Sequence, residues 1–152
     1  MRKLNHILLK SFYFLILFTF VFKVGLSQVP SPALIGYFQN WNSVNAPYIA
    51  LNQIDSRYNV IVVAFALPKS GTDYDMEFTP QQVTSQQFIS QVQGLKNQGK
   101  KVILSLGGGT AVVKLDNVTE KNTFVSSVTS LINTYGFDGI DIDFEGTSVR
   151  IT

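Results

Sequence analysis

The chain has 152 residues, enough for one small domain, and it contains no cysteine, which excludes disulfides, cysteine-ligated zinc and a thiol nucleophile. Its single histidine, His6, lies in a segment that we expect to be removed, so the remaining chain has no histidine for a Ser-His-Asp triad or a metal site. Twelve Lys and Arg against ten Asp and Glu give a net charge of +2, and any acid–base chemistry must use carboxylates, tyrosine or lysine.

Residues 1–27 have the features of a secretory signal peptide. Three basic residues within the first ten precede an almost purely apolar run over 12–22, and small residues follow at Gly25 and Ser27. The run is shorter than the about 20 apolar residues that a membrane span needs, although a retained N-terminal anchor is an alternative. We expect cleavage after Ser27, secretion, and no membrane attachment of the remaining chain.

Removal of this segment changes the charge of the protein. The segment holds four of the twelve basic residues and none of the acidic ones, which leaves eight basic and ten acidic residues, a net charge of −2. No basic stripe remains that would indicate nucleic acid as a partner.

Two apolar segments in the first half of the remaining chain predict strands. The segment LIGYFQNW, 34–41, is rich in aromatic and branched residues, and a polar stretch with room for a helical turn or two separates it from the next strand. The segment YNVIVVAFAL, 58–67, is almost continuously apolar, which is typical of a strand buried on both faces in a parallel sheet. A loop with Gly, Pro and three acids follows over 68–80.

A helix and a third strand are predicted next. Phe88, Val92 and Leu95 recur at helical intervals, and Gly99 fits a C-terminal cap. The third strand, KKVILSLGGG, covers 100–109 and ends in three glycines. These glycines lack the spacing of a phosphate-binding turn, which indicates instead a close approach of the backbone to a substrate or to the next strand.

The order of elements predicts the fold class. A second helix over 119–135 precedes a fourth strand, and Gly136 lies where the helix cap should be. The apolar face of this helix is formed by Phe124, Val128, Leu131, Ile132 and Tyr135. The repeated β–α order predicts parallel strands joined by right-handed crossovers in an α/β fold. A doubly wound sheet and a β/α barrel both fit this pattern.

The fourth strand, FDGIDIDFEG over 137–146, holds four of the ten acidic residues of the chain. Because side chains alternate along a strand, Asp141, Asp143 and Glu145 point to one face, while Asp138 has the opposite parity at the start. The apolar residues that point away from the three acids are Ile140, Ile142 and Phe144. Like charges this close repel each other, so the crowding indicates a function. In a β/α barrel the acids would point inward, with the last one at the carboxyl end of the strand, where such barrels place their chemistry.

Three other interpretations of the acidic strand remain open. A solvated edge strand also alternates polar and apolar residues, although the other three strands look buried on both faces. A calcium loop would use the acids at its first, third and fifth positions, but its bidentate Glu would fall on Thr152. A magnesium or other metal site could use the same carboxylates. The functional interpretation is acid–base chemistry, in which a crowded carboxyl group keeps its proton near neutral pH and donates it to a leaving-group oxygen.

The strand sequences resemble a known family. The stretch DGIDIDFE matches the D-x-x-D-x-D-x-E signature of family 18 glycoside hydrolases, the chitinases, and SLGGG, 105–109, resembles the S-x-G-G motif on the third strand of that family. The strands GYFQNW and VVAFA are also similar to the corresponding family strands, so the resemblance covers 34–146. It implies a TIM (β/α)8 barrel of which this chain holds about the first four units, and its details are those of secreted bacterial-type chitinases.

The resemblance implies roles for the three acids. Glu145 would be the general acid that protonates the glycosidic oxygen, while the N-acetyl group of the substrate attacks the anomeric carbon. Asp143 would hold and stabilise that acetamido group as it gains positive charge. Asp141 would tune the charge of Asp143 by sharing a proton with it. The resemblance implies no cofactor and no metal, and the partner would be chitin or N-acetylglucosamine oligosaccharides.

Supporting residues follow from the same resemblance. Asp138 would be structural, and Ser105 would form a hydrogen bond into the acidic row from the neighbouring strand. Tyr37 and Phe65 would shape the floor of the sugar site, and Trp41 would either stack on a sugar ring or pack in the core. Two alternative functions remain open. One is a chitin- or glycan-binding protein without hydrolytic activity, although such family members typically lose the catalytic Glu and Glu145 is present. The other is an endo-β-N-acetylglucosaminidase, which shares the signature.

The length of the chain is short for this fold. A β/α barrel needs eight strands and about 250 residues, whereas four strands are predicted here. We therefore expect residues 28–152 to be the N-terminal half of a truncated catalytic domain, inactive by itself, since the later strands of the family supply a Tyr, an Asp and a Trp to the cleft.

Overall fold

The computed structural model describes residues 29–148, so the signal-peptide prediction for residues 1–27 lies outside the described residues. The strands and helices follow the chain in the order β1 (Ile35–Gln39), β2 (Val60–Pro68), β3 (Met76–Glu77), α1 (Ser85–Asn97), β4 (Lys101–Gly107), α2 (Val118–Tyr135) and β5 (Gly139–Asp143). Short 3-10 helices cover Leu51–Gln53 and Gly146–Ser148. Within residues 29–148, neither helix is long and apolar enough to cross a membrane.

The main sheet has four parallel strands in the order β1-β2-β4-β5. This order follows the chain without reversal. A doubly wound sheet would reverse its strand order at a switch point, whereas the wall of a β/α barrel adds each strand next to the preceding one. The prediction of an α/β fold with parallel strands is confirmed, and the strand order selects the barrel.

Strand β2 is buried on both faces, as its apolar run predicts. Ile61 and Val63 are fully buried on the face that the helices cover, and Val60 and Val62 are almost fully buried on the other face. The same prediction is wrong for β1, where Tyr37 is 62% exposed. Among the described residues β1 pairs with β2 alone, so it has a neighbouring strand on only one side.

Helix α1 begins at a capping box. The hydroxyl of Thr84 accepts a hydrogen bond from the backbone N–H of Gln87, and the Gln87 side chain accepts one from the backbone N–H of Thr84. The predicted apolar face of Phe88, Val92 and Leu95 is buried, which fixes the helix on the sheet. Each such side chain contributes about 1.5–3 kcal/mol by leaving water.

Helix α2 has a side-chain cap at its start and a glycine at its end. The carboxamide oxygen of Asn117 accepts a hydrogen bond from the backbone N–H of Glu120. Gly136 takes the left-handed conformation at φ 75°, as its predicted cap position requires. On the predicted apolar face, Val128 and Tyr135 are buried, and the other residues pack against the core.

An aromatic cluster joins the two helices to the sheet. Ring centroids of Phe78, Phe88, Tyr135 and Phe137 lie 5.1–6.2 Å apart, mostly edge to face. The Tyr135 hydroxyl donates a hydrogen bond to the backbone oxygen of Phe78 at 3.2 Å. The core therefore lies on the helix-covered face, which leaves the opposite face and the carboxyl ends of the strands for a site.

The predicted loop over 68–80 contains a short strand. Residues Met76–Glu77 form β3, which pairs antiparallel with the carboxyl end of β2 through Leu67 and Glu77. Met76 and Phe78 are buried, so this segment is fixed to the core and its following residues form a defined wall near the strand ends.

Candidate active site

Strand β5 carries the acidic row on the face away from the helices. In register with β4, Asp141 lies beside Ser105 and Asp143 lies beside Gly107. The two acids are half-buried, while Ile140 and Ile142, on the other face, are the exposed residues of this strand. A solvated acidic edge would show the reverse burial, so that interpretation does not fit.

Glu145 lies beyond the strand. The prediction placed it within a strand over 137–146, but β5 ends at Asp143 and a 3-10 helix begins at Gly146. Glu145 is exposed in the two-residue connection at the carboxyl end of β5. The pairing of β5 stops at Asp143 because its partner strand β4 ends at Gly107.

Asp141 accepts two hydrogen bonds on the same oxygen. The Ser105 hydroxyl donates to Oδ2 at 2.7 Å from β4, and the Tyr37 hydroxyl donates to it at 3.0 Å from β1. Ser105 is fully buried, so its hydroxyl has a fixed position. These two bonds orient the Asp141 carboxylate and leave Oδ1 without a hydrogen-bond partner among residues 29–148.

The bond between Tyr37 and Asp141 requires a curved sheet. Strands β1 and β5 lie at opposite ends of the four-strand order, and a flat sheet would hold them about 14 Å apart. The two side-chain oxygens nevertheless lie 3.0 Å apart. The sheet therefore curves around this face, as a barrel wall does, and the acids point into its concave side.

The same contact raises the pKa of Tyr37. The hydrogen bond to Asp141 is the largest cause, and partial burial and the negative charges of Asp141 and Asp143 act in the same direction. Tyr37 consequently keeps its proton and remains a donor to the carboxylate at neutral pH.

Removing the two donors separately should have unequal effects. We expect Ser105→Ala to lower the free energy of unfolding by about 1.5–3 kcal/mol, because a buried bond to a charged group is lost. Tyr37→Phe should lower it by less, because Tyr37 is mostly exposed. Because the pKa of Tyr37 is raised in the folded chain, its hydrogen bond to Asp141 contributes its full stabilisation below about pH 10. This stabilisation is lost as the pH rises through the raised pKa.

Urea unfolding of the chain at pH 8 and near pH 11 measures both effects. The stability difference between wild type and Tyr37→Phe should shrink at the higher pH. Tyr74→Phe is the control, because the Tyr74 hydroxyl makes no hydrogen bond within the described residues. A pH-independent difference for Tyr37→Phe, or one equal to that of Tyr74→Phe, would contradict the assigned contact.

The glycine turn after β4 packs against two other strands. The backbone N–H of Gly108 donates to the carbonyl oxygen of Asp143 at 2.7 Å. A Cβ on Gly107 would lie 2.4 Å from that carbonyl oxygen, and a Cβ on Gly108 would lie 3.0 Å from the Phe65 ring. The predicted close approach to the next strand is confirmed, and these glycines hold the carboxyl ends of β2, β4 and β5 together.

Glu145 lies beside this turn. A Cβ on Gly109 would be 3.6 Å from Oε2 of Glu145, so the carboxylate lies over the exposed end of the turn. Within residues 29–148, neither the Glu145 carboxylate nor that of Asp143 takes part in a hydrogen bond or an ion pair. Both groups are therefore free to meet a ligand from solvent.

Asp138 lies apart from the acidic row, before the start of β5. Its Oδ2 accepts a hydrogen bond from the backbone N–H of Val102 at 2.9 Å, and its Oδ1 lies 3.3 Å from Nζ of Lys96 and 3.9 Å from Nζ of Lys101. The side chain is 12% exposed. These contacts join β5, β4 and the end of α1 at the opposite end of the strand from Glu145.

The three aromatic residues that were predicted to contact sugar lie in two separate places. The rings of Trp41 and Phe65 are stacked with centroids 6.0 Å apart, beside the glycine turn. Tyr37 instead contacts Asp141. The stacked pair lines a groove of about 400 Å³ with Asn40, Leu67, Gln81, Gly108, Gly109 and Thr110. Sequence reasoning missed Asn40 and Gln81, since single amides next to loops carry no recognisable pattern.

The calcium-loop interpretation of the acidic strand does not fit the geometry. Gly139–Asp143 is a strand, whereas a calcium loop of the EF-hand type would turn at these positions. In the part of the chain that the structure describes, no three acidic or histidine side chains converge on one point as metal ligands would.

Comparison with known proteins identifies relatives over most of the chain. Residues 33–150 match the model of the glycosyl hydrolases family 18. The chain is 41% identical over 129 residues to chitinase Chi52 of Paenibacillus xylanexedens and 39% identical over 130 residues to chitinase D of Niallia circulans. These alignments cover 82% of this chain but only 24% and 25% of those proteins, so the chain spans about a quarter of the length of these relatives.

A solved structure agrees with these relatives. The crystal structure of a family GH18 chitinase from Chromobacterium violaceum superposes with a TM-score of 0.71 at 37% sequence identity. The superposition covers 80% of this chain and 33% of that one. The curved parallel sheet described above is therefore the arrangement found in that chitinase.

Proposed function

Because the chain belongs to glycosyl hydrolase family 18, we propose that the whole protein hydrolyses β-1,4-linked N-acetylglucosamine polymers such as chitin. The observation that carries the proposal is the position of Glu145. Glu145 is exposed at the carboxyl end of β5, next to an open groove and two residues from Asp143. No described residue forms a hydrogen bond or an ion pair with its carboxylate. An acid in this position can reach the oxygen that links two sugars.

We assign the first step to Glu145 and the substrate itself. Glu145 donates its proton to the glycosidic oxygen as the bond from that oxygen to the anomeric carbon breaks. The carbonyl oxygen of the N-acetyl group attacks the anomeric carbon from the opposite face and forms an oxazolinium ion. The Glu145 carboxylate then removes a proton from a water molecule. The oxygen of that water attacks the anomeric carbon, and the bond from this carbon to the N-acetyl oxygen breaks, which opens the oxazolinium ring. Two displacements return the product to its original β configuration.

Asp143 and Asp141 support the charge that develops on the acetamido group. Asp143 accepts a hydrogen bond from the N–H of that group and stabilises its positive charge. Because Oδ2 of Asp141 already accepts from Ser105 and Tyr37, a proton shared between the two carboxylates lies on the Oδ1 side of Asp141. Through that shared proton, Asp141 orients Asp143 during the reaction.

The remaining assignments are also proposals. Asp138 has a structural role, which its contacts with Lys96 and the backbone of Val102 support. Phe65 and Trp41 bind the apolar face of a sugar, which their partly exposed stacked arrangement supports. Export from the cell is proposed from the basic and apolar pattern of residues 1–27.

The anomeric configuration of the first product tests the reaction. The protein expressed from its complete reading frame should cleave N-acetylglucosamine tetrasaccharide, and proton NMR should show the β anomer before mutarotation. An α product would contradict participation of the N-acetyl group. Binding without product would favour a glycan-binding protein, and release of glycans from glycoproteins with no action on chitin oligosaccharides would favour an endo-β-N-acetylglucosaminidase.

A further inference from the structure

The position of Glu145 depends on the backbone on either side of it. Within residues 29–148 its carboxylate makes no hydrogen bond or ion pair, so no side-chain contact of this kind holds it. On the N-terminal side, Phe144 packs against Phe124 of α2 with ring centroids 6.3 Å apart. The carbonyl oxygen of Asp143 accepts a hydrogen bond from the backbone N–H of Gly108 at 2.7 Å. These contacts fix the end of β5, and the C-terminal side of Glu145 needs a support of its own.

Ser148 supplies this support through its backbone and its side chain. Its backbone N–H donates to the carbonyl oxygen of Glu145 at 3.0 Å, which closes the 3-10 helix Gly146–Ser148. Its half-buried side chain reaches the loop after β4, where Oγ accepts from the backbone N–H of Val113 at 2.8 Å and donates to the carbonyl oxygen of Ala111 at 3.2 Å. A hydroxyl can form both bonds at once, whereas an apolar side chain can form neither.

The loop that receives these bonds is itself fixed in three ways. Val113 is 3% exposed and belongs to the hydrophobic core. The backbone N–H of Ala111 donates to the carbonyl oxygen of Gly108 at 3.0 Å, which joins the loop to the glycine turn. Lys114 donates its backbone N–H to the carbonyl oxygen of Asp73 at 3.0 Å, and its Nζ lies 3.4 Å from Oδ2 of the same residue. The serine hydroxyl therefore binds a part of the chain that cannot easily move with it.

The same loop begins at the surface that the Glu145 carboxylate faces. Gly109 lies two residues before Ala111, and a Cβ on Gly109 would be 3.6 Å from Oε2 of Glu145. Ser148 thus connects the backbone that carries Glu145 to the turn beside which its carboxylate lies. Without this connection, the backbone of Glu145 could shift relative to the ends of the strands. A shift of about 1 Å in a reacting group can lower a rate by about 10²-fold, so even a small movement matters.

We propose that Ser148 is a positioning residue for the general acid. Its hydroxyl ties the turn that carries Glu145 to the loop at Ala111 and Val113, and so holds the carboxyl group where it can protonate the glycosidic oxygen. The role of Glu145 in this inference rests on the proposed function. Ser148 lies three residues beyond the D-x-x-D-x-D-x-E motif, which therefore assigns it no role. It acts through Glu145 and is not itself a catalytic residue.

Steady-state kinetics of the protein expressed from its complete reading frame test this role. Ser148→Ala should lower kcat for N-acetylglucosamine tetrasaccharide about tenfold to hundredfold and leave KM almost unchanged, because the acid loses its orientation while the sugar contacts remain. Ser148→Thr keeps the hydroxyl and should restore most of the rate. Thr147→Ala is the control and should leave kcat unchanged, because the exposed Thr147 hydroxyl in the same turn makes no hydrogen bond with the described residues.

A double-mutant cycle with Glu145→Gln separates positioning from a merely structural role. Once Glu145→Gln has removed the acidic proton, Ser148→Ala should have almost no further effect on kcat, because it acts through the same group. A loss of kcat by the same factor in both backgrounds would overturn the positioning role. Equal losses from Ser148→Ala and Thr147→Ala would overturn it as well.

Amide hydrogen exchange tests the contact itself and does not depend on hydrolysis. Ser148→Ala should raise the exchange rates of the backbone N–H groups of Val113, which loses its acceptor, and of residue 148, while α1 and β4 keep theirs. If α1 and β4 also exchange faster, the variant has lost its fold. Ser148→Cys, which keeps the size of the side chain but forms only weak hydrogen bonds, then takes its place.

The outcomes separate this inference from the proposed function. Hydrolysis by the wild type with an undiminished kcat for Ser148→Ala would overturn the inference and leave the reaction intact. If the wild type does not hydrolyse chito-oligosaccharides, the proposed function fails, and hydrogen exchange still decides whether Ser148 fixes the turn of Glu145. Faster exchange confined to Val113 and residue 148 would support that role, and unchanged exchange at both would overturn it.

Discussion

Replacing Glu145 with Gln should lower the rate of chito-oligosaccharide hydrolysis by about 10²–10⁴-fold, the usual contribution of a general acid. The amide keeps the size of the side chain but has no acidic proton to give to the glycosidic oxygen. Because Glu145 is exposed and has no hydrogen-bond partner within the described residues, the free energy of unfolding should change little. The assay uses the protein expressed from its complete reading frame.

The choice of substrate strengthens this test. An aryl glycoside releases a phenol that needs little protonation, so Glu145→Gln should slow its cleavage less than that of an oligosaccharide. Glu77→Gln is the matched control, since Glu77 is an exposed acid on β3. Turnover of the oligosaccharide by Glu145→Gln at the rate of the Glu77→Gln control would refute the assignment of the acid.

Gly107→Ala should destabilise the chain by about 2–5 kcal/mol, a large share of the roughly 5–15 kcal/mol that stabilises a typical domain. Two causes act together. Gly107 has φ 110°, which residues with a Cβ avoid, and its added Cβ would lie 2.4 Å from the carbonyl oxygen of Asp143. Relief of this clash requires a backbone shift of β5, so the acidic row would also move.

Two other glycines separate these causes. Gly71 has φ 83°, and a Cβ added there would have nothing within 4 Å, so Gly71→Ala should show the conformational cost alone, about 1–2 kcal/mol. Gly94 lies within α1 with open space around it, so Gly94→Ala should stabilise the chain by about 0.5–1 kcal/mol. Urea unfolding ranks the three variants. A Gly107→Ala variant as stable as Gly71→Ala would mean that the close packing against β5 is absent.

The elements of the fold could be predicted where a sequence period was long enough to register. Phe88, Val92 and Leu95 define α1 because successive helical turns repeat the same face. The two-residue strand β3 shows no period, and its position depends on Phe78 packing against Tyr135 and Phe88, residues that follow later in the chain. The mistaken burial of β1 has a similar origin, since composition does not reveal which strand lies at an edge.

The candidate site also has a part that the sequence predicts and a part that it does not. Asp141 and Asp143 could be placed on one face because strand alternation is a local rule. Glu145 could be assigned to the same site because it belongs to the same D-x-x-D-x-D-x-E motif. The early end of β5 was not predictable, because it depends on where its partner strand β4 ends. The groove beside the stacked rings depends on Asn40 reaching across to Thr79, 39 residues along the chain, and no local pattern signals such a contact.

The bond between Tyr37 and Asp141 has a consequence for the order of folding. It joins residues 104 positions apart, and closing a loop of that length from an unfolded chain costs roughly 4 kcal/mol of entropy. The pairings of β1 with β2 and of β2 with β4 close shorter loops and bring apolar side chains together, so we expect them to form earlier. The chain would then acquire its core first, and the acids would meet their hydroxyl partners only when the last strand arrives.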